Sequence, residues 1–189
     1  MENKNIMIVG VGGQGTLLTS RIIGKTALSQ GYDVKMSEVH GMAQRGGSVV
    51  TFVRYGESVS EPVVEEGDAD ILIAFERLEA MRYAHFLKKD GIIIVNDCRI
   101  DPMTVVIGAK AYPENLIEDL AKNHTVIAID GASIAKEIGN SKVLNTVVLG
   151  VAAKHIGFDK ETWLETVRKT VPQKTIEINE KAFLSGYNK

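Results

Sequence analysis

The stretch Asn5-Ile-Met-Ile-Val-Gly10-Val-Gly12-Gly13-Gln14-Gly15 runs from a short apolar strand directly into a glycine-rich turn. Gly10, Gly12 and Gly15 have the G-x-G-x-x-G spacing of a dinucleotide-binding turn. Residues 16–30, which follow, are typical of a helix. Because glycine has no Cβ, such a turn lets an anion approach the amides at a helix N-terminus. The stretch predicts the opening unit of a nucleotide-binding α/β fold, although these glycines could serve only to make a tight turn.

The composition is that of an ordinary globular chain. Its 189 residues are 44% hydrophobic and 24% charged, which suits a single domain spanning residues 1–189. The net charge of -2 gives no electrostatic reason to expect nucleic-acid binding. No apolar run reaches the length of a membrane span, and the N-terminus lacks a signal-peptide pattern. We therefore expect a cytoplasmic protein without a membrane partner.

The residues that bind metals are sparse. Cys98 is the single cysteine, so it can form no internal disulfide and cannot hold an iron–sulfur cluster, which needs several thiolates. The histidines His40, His85, His124 and His155 are dispersed and match no metal-ligand spacing. We expect no metal site, and we interpret Cys98 as a small core or strand-edge residue.

Strand-like and helix-like segments alternate along the chain. The predicted strands after the first are 33–37, 48–54, 71–75, 91–95, 105–107 and 126–129. The predicted helices are 76–89, a short one beginning near 113, an apolar stripe over 143–155, 159–171 and 174–186. This alternation predicts a single Rossmann-like, doubly wound and mostly parallel sheet with a helical C-terminal third.

A second glycine-bearing segment, Glu38-Val-His40-Gly41-Met-Ala-Gln44-Arg45-Gly46-Gly47, follows the second predicted strand. In a doubly wound fold it leaves the carboxyl end of that strand, beside the first glycine turn. A guanidinium and exposed amides suit a phosphate or a carboxylate, although Arg45 could equally be a solvated loop charge. The candidate binding residues are Gly12, Gly13, Gln14, Gly15, Glu38, His40, Gln44, Arg45, Gly46 and Gly47.

Glu38 provides the best internal argument for a dinucleotide. It lies 23 residues beyond Gly15, near the roughly 20-residue separation at which an acid holds the ribose of NAD. Against this, no residues that would hold a substrate are evident. Glu76 and Glu79 follow a strand end and are interpreted as carboxylates that a helix dipole favours. A free-standing NAD(P)-dependent dehydrogenase or reductase, or a non-enzymatic nucleotide-binding module, remains an alternative.

Four segments together resemble a known family. They are Gly10-Val-Gly-Gly-Gln-Gly15, Ser37-Glu-Val-His-Gly-Met-Ala-Gln-Arg-Gly-Gly47, Asn145-Thr-Val-Val-Leu-Gly150 and Asn179-Glu-Lys-Ala-Phe-Leu-Ser-Gly186. They look like the gamma-type subunit of 2-oxoacid:ferredoxin oxidoreductases. The second segment is similar to that of the beta subunit of indolepyruvate ferredoxin oxidoreductase. The likeness covers nearly the whole chain.

The resemblance implies a complex that oxidatively decarboxylates an aryl 2-oxoacid to an acyl-CoA and reduces ferredoxin. It implies that thiamine diphosphate and the iron–sulfur clusters lie in a larger partner subunit, and that this chain meets ferredoxin only indirectly. This chain would help to close the active site and bind CoA as co-substrate. It would carry no catalytic residue and no tightly bound cofactor, and it would be inactive alone. Which residue meets which CoA group does not follow from the resemblance.

Overall fold

The computed structural model describes residues 3–41 and 46–189. The strands are β1 Lys4–Val11, β2 Asp33–His40, β3 Ser48–Gly56, β4 Ala69–Ala74, β5 Leu87–Asn96 and β6 Thr125–Ile129. The helices are α1 Thr16–Ser29, α2 Arg77–Tyr83, α3 Met103–Val106, α4 Leu116–Ala121, α5 Gly131–Ile138, α6 Leu144–Ile156, α7 Lys160–Thr170 and α8 Ile176–Tyr187.

The six strands form one sheet in the order β2-β3-β1-β4-β5-β6. Strands β1, β4, β5 and β6 pair in parallel, whereas β3 is antiparallel to both of its neighbours, β1 and β2. Strand β2 therefore points the same way as β1, with β3 inserted between them. This mixed, mostly parallel sheet confirms the predicted α/β fold with a helical C-terminal third.

Two apolar cores cover the two faces of the sheet. The larger core joins the sheet to α1 and to the C-terminal helices, with Trp163 and Phe183 fully buried in it. The smaller core lies under α2 and α4, and Met7, Leu72 and Ile93 point into it from the sheet. Residues that alternate along β1 and β4 enter opposite cores, because successive strand side chains point to opposite faces.

Three of the four family-like segments meet in the larger core. A Cβ on Gly15 would lie 2.7 Å from Nδ2 of Asn145, so this glycine lets α1 begin directly against α6. Thr146 Oγ1 on α6 donates a 2.7 Å hydrogen bond to Asn179 Oδ1 on α8. These segments therefore share a packing role that ties the glycine turn to the C-terminal helices.

Three predicted elements were wrong in kind or extent. Residues 105–107 are not a strand but lie at the end of α3, because β6 pairs directly with β5 and leaves no place for a strand between them. The predicted helix over 76–89 ends at Tyr83, since residues 87–89 begin β5. Strand β2 extends to His40, so Glu38 and His40 lie on a strand rather than in a loop.

In the part of the chain that the structure describes, no helix has both the length and the apolar character needed to cross a membrane.

Candidate functional site

The glycine turn lies at the carboxyl edge of the sheet, between β1 and α1. Gly13 and Gly15 have φ angles of 104° and 90°, which are in the left-handed region that glycine adopts without strain. A Cβ added to Gly13 would meet no atom within 4 Å, so this residue faces open space. No described side chain caps α1, and its first turn carries no acidic residue. The start of the helix is thus electrostatically suited to an anion.

Gln14 has a structural role at this turn. Its Oε1 accepts a 2.7 Å hydrogen bond from the amide of Val11, and its Nε2 donates a 3.0 Å hydrogen bond to the carbonyl oxygen of Phe75. The buried amide of Asn96 donates to the same carbonyl oxygen over 3.2 Å. The amide of Gln14 is therefore occupied in joining the turn to the ends of β4 and β5, and it is not directed at a ligand.

The two glycine-bearing segments lie side by side where the structure describes them, and they are joined directly rather than facing each other across a crevice. The Gly12 amide donates a 2.9 Å hydrogen bond to the carbonyl oxygen of Gly47, and the Gly46 amide donates a 3.4 Å bond to the carbonyl oxygen of Gly12. These two bonds continue the β1–β3 pairing past the ends of the strands. The amides of Gly12 and Gly46 are consequently used between the segments.

An open cavity of about 390 Å³ lies beside this contact. Glu38 and His40 line it from β2, together with the glycine turn and the first residues of α1. Glu38 Oε2 accepts one long hydrogen bond, 3.4 Å, from the buried hydroxyl of Thr51, and His40 is exposed. The candidate residues Gln44 and Arg45 lie outside the described residues.

A carboxylate cluster that the sequence did not mark as important lies at the same sheet edge. Glu76 is 1% exposed and accepts hydrogen bonds from three donors: the Glu79 amide at 3.0 Å, the Ile100 amide at 3.2 Å and the Tyr112 hydroxyl. Burial and the adjacent Glu76 carboxylate raise the pKa of Tyr112, which therefore keeps its proton and continues to donate. Glu76 does cap α2, but it also joins that helix to a segment more than twenty residues away.

Glu79 is a second buried carboxylate on α2. Burial raises its pKa, while a 2.5 Å hydrogen bond from Ser48 Oγ and the nearby Arg82 oppose that rise. Ser48 is the first residue of β3, directly after Gly47. The contact thus anchors the C-terminal end of the second glycine segment to α2. Sequence spacing alone does not reveal it, because Ser48 and Glu79 are 31 residues apart.

Cys98 is half-buried two residues after the end of β5, and burial raises the pKa of its thiol. A raised thiol pKa lowers the fraction of reactive thiolate. This geometry agrees with the interpretation of Cys98 as a packing residue near a strand end.

A glycine turn at a helix N-terminus, next to an open cavity at the carboxyl edge of a mixed α/β sheet, is typical of a Rossmann-like domain. The profile of the family described as pyruvate ferredoxin/flavodoxin oxidoreductase matches residues 5–189. The chain belongs to this family.

Relatives and solved structures agree with this assignment. The chain is 43% identical over 189 residues to indolepyruvate oxidoreductase subunit IorB of Archaeoglobus fulgidus, a match that covers 97% of this chain and 94% of the relative. It is 31% identical over 186 residues to ketoisovalerate oxidoreductase subunit VorA of Methanothermobacter marburgensis, covering 96% of this chain but only 35% of that relative. The crystal structure of a keto/oxoacid ferredoxin oxidoreductase gamma subunit from Geobacter sulfurreducens superimposes with a TM-score of 0.73 at 25% identity, covering 98% and 96% of the two chains.

Proposed function

We propose that this chain is the non-catalytic subunit of a thiamine-dependent 2-oxoacid:ferredoxin oxidoreductase of the indolepyruvate type. The observation that carries the proposal is the match to subunit IorB along nearly the full length of both chains. The complex would oxidatively decarboxylate an aryl 2-oxoacid, join the acyl group to CoA and pass the electrons to ferredoxin.

The residues of this chain support the proposal that the cofactors are bound by a larger partner subunit. The sequence has one cysteine, and an iron–sulfur cluster needs several thiolates, so this chain does not fit a cluster. Its buried carboxylates Glu76 and Glu79 are engaged in hydrogen bonds that hold the fold. We assign the clusters and the thiamine diphosphate to the partner, and we derive no chemical step on this chain.

The proposed contribution of this chain is to close the active site and receive CoA at the cavity beside the glycine turn. The N-terminus of α1, which no described side chain caps, would accept a phosphate group, and Arg45, which precedes Gly46 in the chain, would add a charge-assisted donor. Glu38 lines the same cavity, so its carboxylate would repel a phosphate placed close to it. We therefore expect the phosphate to bind nearer to α1 than to β2.

We expect the purified chain to be folded and inactive, and to form a stable complex with the larger thiamine- and cluster-binding subunit. Size-exclusion chromatography of each chain alone and of the mixture tests complex formation. The iron content and the 2-oxoacid turnover of each fraction test whether the isolated chain is inactive. Turnover or stoichiometric iron in the isolated chain contradicts the proposal, and so does the absence of a complex after co-expression.

We expect Arg45→Ala to weaken CoA binding about tenfold or more, because a charge-assisted hydrogen bond to a phosphate contributes roughly 1.5–3 kcal/mol. In the assembled enzyme the change should raise the CoA requirement and leave the steps before CoA less affected. Arg21→Ala is the matched control, since it removes the same charge from an exposed position on α1 that does not line the cavity. Calorimetry with CoA measures both variants.

Glu38→Ala separates the proposal from the dehydrogenase alternative. Among the described residues the Glu38 side chain accepts one hydrogen bond, and that bond is long, so removal of the carboxylate should leave the fold intact. It should matter little for CoA, whereas it should abolish NAD binding if the carboxylate holds a ribose. Calorimetry with NAD and NADP tests this. Two results together would favour the dehydrogenase. The wild-type chain would bind NAD tightly and the Glu38→Ala variant would not, and the Arg45→Ala variant would bind CoA with unchanged affinity.

A further inference from the structure

Residues 100–112 form a loop that a single buried carboxylate closes. Glu76 Oε1 accepts the amide of Ile100 at one end and the hydroxyl of Tyr112 at the other. The guanidinium of Arg99 lies 4.4 Å from the centre of the Tyr112 ring, and the Arg77 amide donates a 3.1 Å bond to the carbonyl oxygen of Cys98. We call residues 100–112 the Glu76 loop. Both of its ends are held against α2.

The tip of the Glu76 loop is the helical turn α3, and it is ordered by its own backbone. The amides of Val105 and Val106 donate to the carbonyl oxygen of Pro102 over 2.8 and 3.1 Å, and the amide of Ile107 donates to that of Met103 over 3.0 Å. None of the residues of α3 is buried. The loop is thus clamped at its base and regular at its tip.

The side chains at this tip are apolar and exposed. Met103, Val106 and Ile107 are 71%, 66% and 67% exposed, and their i, i+3, i+4 spacing places them on one face of the turn. Eight large hydrophobic residues are exposed in the described part of the chain, and these three of them lie within five consecutive positions. None of the three side chains is buried against the described part of the chain, and such a concentration of exposed apolar residues is typical of an interaction surface.

We propose that the apolar face of α3 docks into the larger thiamine- and cluster-binding subunit, with Met103 and Ile107 as its two anchors. This inference rests on the proposed function, because that function supplies the partner. The clamp at Glu76 holds the anchors in place before docking, which lowers the ordering cost of association.

Two observations favour the partner subunit over a second copy of this chain. The relative VorA matches this chain over only 35% of its own length, so in that polypeptide a domain of this fold is joined to a larger remainder. The Glu76 loop also leaves the carboxyl end of β5, which is the sheet edge that carries the glycine turn and its cavity. A partner seated on α3 would therefore lie at the same edge of the sheet as the proposed CoA site.

The test compares the double variant Met103→Ser/Ile107→Ser with the matched double variant Leu28→Ser/Val63→Ser. Leu28 and Val63 are 56% and 47% exposed and lie away from the Glu76 loop in the chain, so the control removes similar exposed apolar surface. Each purified chain is melted alone, sedimented alone, and titrated with the larger subunit in a surface-binding assay. We expect unchanged melting for both variants, wild-type affinity for the control and about 100-fold weaker binding for the α3 variant.

Each other outcome overturns the inference. Equal affinity of the α3 variant and the wild type rejects α3 as the docking surface and leaves the proposed function standing. A wild-type chain that binds no larger subunit rejects both. If the wild-type chain sediments as a dimer, the α3 variant sediments as a monomer and both bind the larger subunit equally, then α3 contacts a second copy of this chain instead.

Discussion

Gly186→Ala is expected to destabilise the chain by about 3 kcal/mol, at the upper end of the cost of overpacking a core. A Cβ at this position would run into the carbonyl group of Val147 on α6. Because the obstacle is backbone, no side-chain rotation relieves it, and α8 must move away from α6. The helix propensity of alanine offsets only about 1 kcal/mol of this cost. Urea unfolding followed by far-UV circular dichroism measures the change.

The neighbouring variant Ser185→Ala provides the control. It changes the residue before Gly186 on the same helix, and among the described residues the Ser185 hydroxyl donates to the carbonyl oxygen of Lys181, one turn earlier. Its free energy of unfolding should stay within about 0.5 kcal/mol of wild type.

Gly150 lies on the other side of the same α6–α8 contact, and a Cβ there would meet the backbone of Phe183 and Tyr187. The double glycine variant should cost less than the sum of the singles, since one separation of the helices accommodates both methyl groups. A Gly186→Ala variant as stable as Ser185→Ala would contradict the close α6–α8 contact.

Glu76→Ala is expected to lower the free energy of unfolding by at least about 3 kcal/mol, because each of its three donors loses its acceptor and such losses cost about 1–3 kcal/mol each. Glu76→Gln retains an acceptor for the Ile100 amide and the Tyr112 hydroxyl, but its NH₂ group cannot accept from the Glu79 amide. We therefore expect the loss in the glutamine variant to be less than half as large. Urea unfolding measures both variants.

Tyr112→Phe separates the closure of the loop from the cap of α2. It removes one donor from Glu76 and leaves the Glu79 amide in place, so it should cost about 1 kcal/mol. Hydrogen exchange should then rise in residues 100–112 and not in α2. Equal stability of Glu76→Ala and wild type would show that the carboxylate does not hold the two segments together.

The sequence was most informative where the relevant contacts are local. The strand, turn and helix of residues 4–29 follow from apolar periodicity and glycine spacing, which act over a few residues. The predicted helix over 159–171 matches α7, and Asp159 caps it because an aspartate side chain reaches the amides two and three positions further along. The family resemblance was also correct, since it joined motifs from both ends of the chain.

The errors arose where pairing across the sheet decides the outcome. Residues 105–107 are β-branched and suit a strand, yet β6 already occupies the edge beside β5. The antiparallel β2–β3 pair was within reach of the sequence, because the seven residues between His40 and Ser48 are too few for a parallel crossover. The insertion of β3 between β1 and β2 could not be predicted from the sequence, because strand order depends on which edges remain free in the folded sheet.

The sequence by itself determined the α/β class, the glycine turn and the family, because these depend on residue type and spacing along the chain. Only the tertiary structure decided what individual side chains do. Gln14, a predicted ligand contact, is bonded to Phe75, and Glu76, interpreted as a helix-dipole carboxylate, closes a loop of thirteen residues. The physical reason is that a hydrogen-bonding group is assigned its role by the partners that folding brings near it, and those partners lie 61, 24 and 36 residues away.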